Sequence, residues 1–344
     1  MVKIKKHGIV LEATNLEFES QAVLNPACIR VGNNVHMLYR AVRRGNYSSI
    51  GYCKLNGPLE ITERAKKPFL FPEFDYEKHG VEDPRIVFID GIYYLTYMAY
   101  NGKRVVAALA TSKNLKTFEK KGPISYLISY ADAIKLYEKS DVMKKYFCFN
   151  KYDKAKGQSE KDTFIWGKDT ILFPKKINGK FAMLHRVIPG IQVIYFNDFK
   201  ELTFDFWKEH LKHLSDYIIL DPKFWFESRF IGAGCPPIET DKGWLLIYHA
   251  IEDSSKGRIY RAAAALLDKN DPTKVIGRLK EPLFSPEEKW ELKGDVNNVV
   301  FPTGAVVFDE TLYVYYGAAD KRIAVASLNL NELLEELKIK KRKN

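Results

Sequence analysis

Five segments of the chain share one pattern of polar and hydrophobic positions. Each begins with a turn containing Gly, Asn or Asp and continues as a short apolar and aromatic run. Turn residues of this kind mark hairpin tips, and the runs have the length and composition of β-strands. The segments are GNNVHMLYRAV from Gly32, DGIYYLTYMAY from Asp90, NGKFAMLHRVI from Asn178, DKGWLLIYHAI from Asp241 and DETLYVYYGAA from Asp309. This recurrence indicates an internal repeat.

Each segment lies between two further strand-like runs. The preceding run contains a proline at its start in four of the five copies, as in NPACIRV from Asn25 and DPRIVFI from Asp83. The following run is rich in small residues, as in RVVAALATS and YRAAAALLD. Repeated antiparallel units of three or four strands are typical of a β-propeller. A β-sandwich with meander hairpins is the alternative, but the constant order of the three runs favours the propeller.

The predicted fold class is therefore all-β, a five-bladed β-propeller with a short C-terminal helix. The helix is expected around Asn331 to Lys338, with Leu333, Leu334 and Leu337 on one face, and is the one convincing helix in the sequence. No composition break marks a domain boundary, so residues 1–344 are predicted to form a single domain. The blades are expected from about residue 20 onward, with residues 1–19 as an N-terminal extension.

Composition excludes several classes of protein. The 344 residues carry a formal net charge of +11, much of it in lysines and arginines near the two ends, and no nucleic-acid-binding motif accompanies it. No apolar run approaches the roughly 20 residues of a membrane helix. The cysteines, Cys28, Cys53, Cys148 and Cys235, show no CxxC pair. Reduced thiols in the cytoplasm are therefore expected, with neither nucleic acid nor membrane as a partner.

The repeat places polar side chains in register. Alignment of the aromatic strands on Tyr39, Tyr97, His185, Tyr248 and Tyr316 aligns Arg40, Met98, Arg186, His249 and Gly317. Three copies thus direct a cation, or a histidine, to one zone of the channel. Such a ring favours a site for an anion or a polyhydroxylated ligand. The alternative is that each arginine is paired with a carboxylate inside its own blade.

Carboxylates and an amide are expected at the same end of the channel. Glu82 and Asp83 precede a strand in VEDPRI, Asp320 follows the fifth aromatic strand, and Asn25 occupies the repeat position of Asp83. Amide, carboxylate and cationic groups together suit the hydroxyls of a sugar. The motifs of serine hydrolases, zincins and P-loop proteins are missing from the sequence, and the histidines lack metal-ligand spacing. No metal and no organic cofactor are therefore predicted.

Five ordered motifs resemble glycoside hydrolase family 130. They are HGVEDPRIVFIDGIYYLTYMAY, LFPKKINGKFAMLHRVIP, IGAGCPPIETDKGWLLIYHAI, YRAAAALLD and NNVVFPTGA with YYGAAD, and the likeness extends from about Asn25 to Leu328. The resemblance implies a five-bladed propeller enzyme, a mannoside phosphorylase or a β-mannosidase. In either case a mannose-containing oligosaccharide is the expected substrate.

The resemblance also implies roles for individual residues. Asp83 would be the general acid, acting through a sugar hydroxyl rather than directly on the glycosidic oxygen. The residues that would hold the transferred sugar are Asn25, Arg40 and Asp320. The residues that would hold phosphate are Lys168, Arg186, His249 and Tyr260. One departure concerns the basic residue that usually precedes IGAG, because Phe230 stands there and Arg229 lies one place earlier. Since side chains alternate along a strand, Arg229 reaches phosphate only if the backbone shifts.

The leading hypothesis is an inverting phosphorylase that uses phosphate as co-substrate and forms α-mannose 1-phosphate from a β-mannoside. Inverting hydrolysis needs a second carboxylate as base, whereas phosphate is already a charged nucleophile. A β-mannosidase with Glu227 of WFESRF in the substrate site as that base is the rival, and a non-catalytic carbohydrate-binding propeller is the third hypothesis. The insertion 125–162 is expected either to select the acceptor sugar or to form the interface of a homo-oligomer.

Overall fold

The computed structural model describes residues 2–147, 164–165, 167–255 and 257–338. Four sheets provide the five blades of a β-propeller, in order along the chain. Blades one and two share one eight-stranded sheet, in which a single parallel bridge between Ser48 and Gly80 joins them. Blade one contains β2 (Ala22–Val31), β3 (Asn34–Arg43), β4 (Tyr47–Asn56) and β5 (Glu60–Arg64). Blade two contains β6 (Gly80–Ile89), β7 (Ile92–Tyr100), β8 (Val105–Ser112) and β9 (Glu119–Pro123). Blade three contains β12 (Ile171–Leu172), β13 (Phe181–His185), β14 (Ile191–Phe196) and β15 (Ile218–Leu220).

The last two blades complete the ring. Blade four contains β16 (Phe230–Ala233), β17 (Ile238–Thr240), β18 (Gly243–Ser254), β19 (Gly257–Leu267) and β20 (Val275–Arg278). Blade five contains β21 (Val300–Phe308), β22 (Thr311–Ala318), β23 (Arg322–Asn329) and, as its outer strand, β1 (Lys5–Leu11). A small ribbon, β10 (Ile128–Ser129) with β11 (Phe164–Ile165), lies between blades two and three. The predicted five-bladed propeller is confirmed.

Strand β1 corrects one expectation. Residues 1–19 were predicted to precede the blades, but β1 pairs antiparallel with β23 and supplies the fourth strand of blade five. The innermost strand β2 packs against both β6 and β21, so blade one contacts blades two and five. Both ends of the chain thus meet in one sheet, and the outer edge of β23 is covered.

The helices agree with the sequence only in part. Helix α1 (Tyr130–Tyr137) lies in the insertion and packs against α2 (Phe204–Lys212), while α3 (Lys289–Leu292) is a single turn. The C-terminal helix α4 (Leu330–Leu337) is confirmed, with Leu333, Leu334 and Leu337 buried. The prediction of one convincing helix was wrong, because α2 was missed. Thr203 caps α2 by accepting a hydrogen bond from the Phe206 backbone N–H. Across the described ranges, no helix is long and apolar enough to cross a bilayer.

In four of the five blades, a buried glutamate is hydrogen-bonded to the aromatic second strand. Each glutamate accepts a hydrogen bond of 2.6–2.8 Å from a tyrosine hydroxyl of the second strand and meets a cation from the outer strand. The sets are Glu19 with Tyr39 and Arg64, Glu77 with Tyr97 and Lys120, Glu227 with Tyr248 and Arg278, and Glu291 with Tyr316 and Lys6. In blade three, His185 contacts His210 instead. We call this arrangement the blade clasp.

Candidate active site

Most side chains predicted for the site line one cavity of about 460 Å³ at the centre of the propeller. They are Asn25, Arg40, Asp83, Lys168, Arg186, Arg229, His249, Tyr260 and Asp320. The wall also includes Asp169, Phe230, Arg258 and Phe301. The insertion contributes Tyr130, and strand β11, which follows the insertion, contributes Phe164 and Ile165. The volume lies within the range of about 300–1,000 Å³ that small-molecule sites occupy.

Two innermost strands bulge where they enter the cavity. The register breaks between Leu24 and Ala27 in β2, and at the equivalent place in β6. There Asn25 and Asp83 adopt positive φ angles of 50° and 47°. Such backbone strain in non-glycine residues is characteristic of functional sites. The bulges bring the two side chains together, because Asn25 Nδ2 donates to Asp83 Oδ1 at 2.7 Å.

The guanidinium of Arg40 is held on three sides. It donates from Nε to Ser48 Oγ at 2.9 Å and from Nη2 to Glu82 Oε1 at 2.7 Å, and Nη1 lies 3.7 Å from Asp83 Oδ1. Glu82 belongs to blade two, so pairing within one blade does not explain this arginine. A planar cation fixed beside two carboxylates presents its remaining edge to the cavity.

The two carboxylates beside Arg40 differ in acidity. Burial by itself would raise the pKa of Asp83, but Arg40, Lys168 and the Asn25 hydrogen bond outweigh it, so that pKa lies below its usual value. Burial raises the pKa of Asp320 to about 6, with Arg40 opposing and the charge of Asp83 adding to the rise. Asp83 is therefore ionised at neutral pH, whereas Asp320 changes its protonation state at about pH 6.

A second charged group contains Asp169, which was not predicted as a site residue. Asp169 Oδ2 lies 2.6 Å from Arg186 Nη1 and 3.7 Å from His249 Nε2, and the residue has a φ of 56°. In the sequence repeat, Asp169 of DTILFP occupies the position of Asn25 in NPACIRV and Asp83 in DPRIVFI, and that signal could have identified it. Arg186 is thus paired within its own blade and also faces the cavity.

Gly232 leaves the space that Asp169 and His249 occupy. A Cβ at Gly232 would lie 2.3 Å from Asp169 Oδ2 and 2.4 Å from His249 Cε1, closer than side-chain carbons approach other atoms. The glycine therefore lets Asp169 and His249 meet over the backbone of β16. This explains in physical terms the first glycine of the IGAG sequence.

The protonation states around Arg186 suit anion binding. Burial lowers the pKa of His249 to about 3, so its imidazole is neutral at pH 7 and offers one N–H donor. Burial and the charge of Asp320 raise the pKa of Tyr260, so its hydroxyl stays protonated. Burial lowers the pKa of Lys168, with Asp83 opposing. The Nε of Arg186 and the Nδ1 of His249 have no hydrogen-bond partner among the described residues.

Comparisons with known proteins give the family. The model of glycoside hydrolase family 130, described as β-1,4-mannooligosaccharide phosphorylase, matches residues 3–339. The chain belongs to this family. The 1,2-β-oligomannan phosphorylase of Thermoanaerobacter sp. (strain X514) is 37% identical over 348 residues, which cover 97% of this chain and 99% of that protein. A β-1,2-mannobiose phosphorylase of the same organism is 36% identical, with 95% and 96% covered.

A solved structure agrees with this assignment. It is described by the words "The GH130 family of mannoside phosphorylases contains glycoside hydrolases that target beta-1,2 mannosidic linkages in Candida mannan". It is 26% identical, covers 96% of this chain and 94% of its own, and superimposes with a TM-score of 0.73. The resemblance to family 130 that the motifs indicated is confirmed.

Glu227 lies outside the family 130 cavity, which corrects its predicted place in the substrate site. Its side chain is fully buried in the blade clasp of blade four. Its carboxylate accepts hydrogen bonds from the backbone N–H groups of Lys223 and Phe224 and from the Tyr248 hydroxyl, and is paired with Arg278. A carboxylate with every acceptor position occupied and no access to the cavity cannot activate water there.

Arg229 and Phe230 both reach the cavity wall. Arg229 Nη1 contacts both carboxylate oxygens of Asp253, at 2.9 and 3.1 Å. The ring of Phe230 lies 5.0 Å from the guanidinium carbon of Arg186. Arg229 thus lines the cavity one position before Phe230, although its charge is shared with a carboxylate. The described residues contain no cluster of His, Cys, Asp and Glu suited to a metal ion.

Proposed function

We propose that this chain is an inverting phosphorylase that cleaves a β-mannoside with inorganic phosphate and releases α-mannose 1-phosphate. The observation that carries the proposal is a set of two cations and two neutral hydrogen-bond donors, which lines the same cavity as Asp83: Lys168, Arg186, His249 and Tyr260. An enzyme that used water would have no need for so many anion-binding groups beside the reacting sugar. The family and the names of its relatives support the same reaction.

The sugar half of the site consists of Asn25, Arg40, Asp83 and Asp320. Arg40 and Asn25 supply fixed N–H donors, and the two carboxylates accept hydrogen bonds from sugar hydroxyls. Because Glu82 and Ser48 already orient Arg40, little side-chain entropy is lost when the mannosyl unit binds. We assign these four residues to the transferred mannose.

The reaction balances without a proton from solvent. A phosphate oxygen forms a bond to C1 of mannose while the bond from C1 to the glycosidic oxygen breaks, and attack from the opposite face converts a β-linkage into an α-phosphate. Hydrogen phosphate brings one proton, and the leaving oxygen takes one. Asp83 must therefore gain a proton when the substrates bind, pass it to the leaving oxygen through a sugar hydroxyl, and return to the ionised form that its lowered pKa favours.

The anion half of the site holds the nucleophile. Lys168 and Arg186 contribute positive charge, while neutral His249 and protonated Tyr260 contribute N–H and O–H donors. Fixed donors in a buried site cost no reorganisation when charge moves from phosphate toward the leaving group. Asp169 keeps Arg186 and His249 in place and acts as a positioning residue.

For the linkage we favour β-1,2. The two relatives described above are both named for β-1,2 substrates, whereas the family model is described by a β-1,4 activity. For the acceptor sugar we favour the insertion 125–162, because its Tyr130 lines the cavity beside Phe164 and Ile165 of β11, the strand that follows the insertion. Residues 148–163 lie outside the described part of the chain. The cytoplasmic location and the homo-oligomer stay predictions.

The decisive experiment measures the products formed from β-1,2- and β-1,4-mannobiose with and without phosphate. The proposal requires phosphate-dependent turnover and α-mannose 1-phosphate as product, identified by its anomeric NMR signal. Release of free mannose at a rate indifferent to phosphate would establish the hydrolase instead. Binding without turnover of any mannoside would establish the non-catalytic propeller. Faster cleavage of β-1,4-mannobiose would overturn the linkage but not the phosphorylase.

A further inference from the structure

Arg258 lies in the cavity wall beside Tyr260 and is not among the residues assigned to mannose or phosphate above. Both residues belong to β19, where Arg258 pairs with Asp253 and Tyr260 pairs with Ile251 of β18. Residues two apart on a strand point to the same side of the sheet, and both side chains line the cavity. Burial, the larger effect, raises the pKa of the Tyr260 hydroxyl, whereas the positive charge of Arg258 acts on that hydroxyl and lowers its pKa. The β18–β19 hairpin thus brings a cation to the residue assigned to phosphate.

The charge of Arg258 is distinct from that of the other arginines in the wall. Arg40, Arg186 and Arg229 are each within 3 Å of a carboxylate oxygen: those of Glu82, Asp169 and Asp253 respectively. No carboxylate of the described residues lies within 4.0 Å of Arg258. Asp253 is its neighbour across the strand pair, yet it binds Arg229. Arg258 therefore keeps its full charge for a ligand.

Its exposure places Arg258 at the entrance. The residue is exposed, whereas His249 is buried and the Arg186 side chain is only 9% exposed. An exposed cation at the opening of a site lined with cations attracts anions from solvent and raises their local concentration. Its planar guanidinium can then bind two phosphate oxygens at once.

We propose that Arg258 is a further phosphate-binding residue, which captures the anion at the cavity entrance and holds it together with Tyr260. The inference rests on the proposed phosphorylase function. It assigns to β19 a cation that binds the nucleophile and not the mannosyl unit.

The test compares Arg258→Gln with Arg261→Gln, a control on the same strand whose side chain is paired with Glu252. With β-1,2-mannobiose, Arg258→Gln should raise the KM for phosphate about tenfold, with the KM for the mannoside within about twofold of wild type; one charge-assisted hydrogen bond is worth about that much. Arg258→Lys should recover part of the loss. Calorimetric titration of inorganic phosphate into the proteins without mannoside should show the weakest binding for Arg258→Gln, intermediate binding for Arg258→Lys, and the tightest binding for wild type and Arg261→Gln.

Ionic strength supplies a second readout. Wild-type kcat/KM for phosphate should fall as salt rises, and the slope should be shallower in Arg258→Gln than in Arg261→Gln. If Arg258→Gln matches Arg261→Gln in phosphate KM and salt dependence, the inference is wrong. A raised mannoside KM with unchanged phosphate KM would make Arg258 an acceptor contact and also overturn it. A wild-type rate that ignores phosphate would instead refute the proposed function itself.

Discussion

Asn25 and Asp83, from two different blades, meet through a hydrogen bond of 2.7 Å from amide to carboxylate. Each occupies a strained bulge of an innermost strand, so the backbone of the two blades sets the position of the pair. The bond leaves the second oxygen of Asp83 available to the sugar. It also fixes the orientation of the Asn25 amide, because only the amide nitrogen can donate to a carboxylate oxygen.

Asp83→Asn should therefore retain the fold and lose the reaction. The variant amide can still accept the Asn25 hydrogen bond, but it cannot pass on a proton, so kcat should fall by at least about a hundredfold. Phosphorolysis of β-1,2-mannobiose measures the loss, and thermal unfolding should give a Tm close to that of wild type. Activity within tenfold of wild type would mean that another group is the acid.

Glu227→Gln should act on stability and not on chemistry. The neutral side chain no longer balances Arg278 in a buried clasp, and breaking a buried pair costs about 3–5 kcal/mol. We expect a lowered Tm and an unchanged phosphate KM in the fraction that remains folded. Glu77→Gln is the matched control, since Glu77 makes the same contacts with Tyr97 and Lys120 in blade two.

The two variants should behave alike in both measurements. If Glu227→Gln abolishes turnover at a temperature where both variants are folded, while Glu77→Gln remains active, Glu227 has a role in the reaction beyond the blade clasp. That result would support the rival hypothesis, in which Glu227 is the base of a β-mannosidase. Circular dichroism at the assay temperature establishes which protein is folded.

The repeat was predictable because the same short sequence pattern recurs five times along the chain. Hairpin turns and aromatic strands recur in fixed order. Tyr39 and Tyr248, which the repeat aligns, make the same hydrogen bond to a buried glutamate in their own blades. Strand β1 was not predictable in this way, because its partner β23 lies more than 300 residues away and KKHGIVL carries no repeat signal. Helix α2 was missed because FDFWKEHLK has the aromatic content of a strand.

The site was predictable where a side chain follows the repeat. Arg40, Arg186 and His249 share one register position, and Asn25 and Asp83 share another. Glu227 was misplaced because an acidic residue beside aromatic residues resembles a catalytic base in sequence. Only the structure reveals its burial and its four donors. Partners of this kind depend on tertiary contacts that no local pattern contains.

Gly232→Ala should weaken phosphate binding selectively. The added Cβ would lie within 2.4 Å of both Asp169 and His249 and must push them apart, which misdirects Arg186. We expect the KM for phosphate to rise at least about tenfold, because one well-oriented charged hydrogen bond is lost. Mannoside binding, measured by calorimetry without phosphate, should stay within about twofold, since none of these atoms contacts Asn25 or Arg40. Equal losses for both ligands would contradict the division of the cavity into two halves.

The last prediction concerns pH and the sugar half of the site. The pKa of Asp320 is raised to about 6 from its usual value, chiefly by burial, so this carboxyl is ionised above pH 6 and becomes protonated as the pH falls through that value. Only the ionised form offers all its lone pairs to sugar hydroxyls and keeps its attraction to Arg40. Affinity for β-1,2-mannobiose should therefore be constant above about pH 7 and decline below pH 6. Calorimetry without phosphate isolates the effect, because phosphate itself titrates near neutrality. Asp320→Asn should bind more weakly at pH 7.5 and show no decline between pH 7 and 5. A decline that persists in Asp320→Asn would assign the titration to another group.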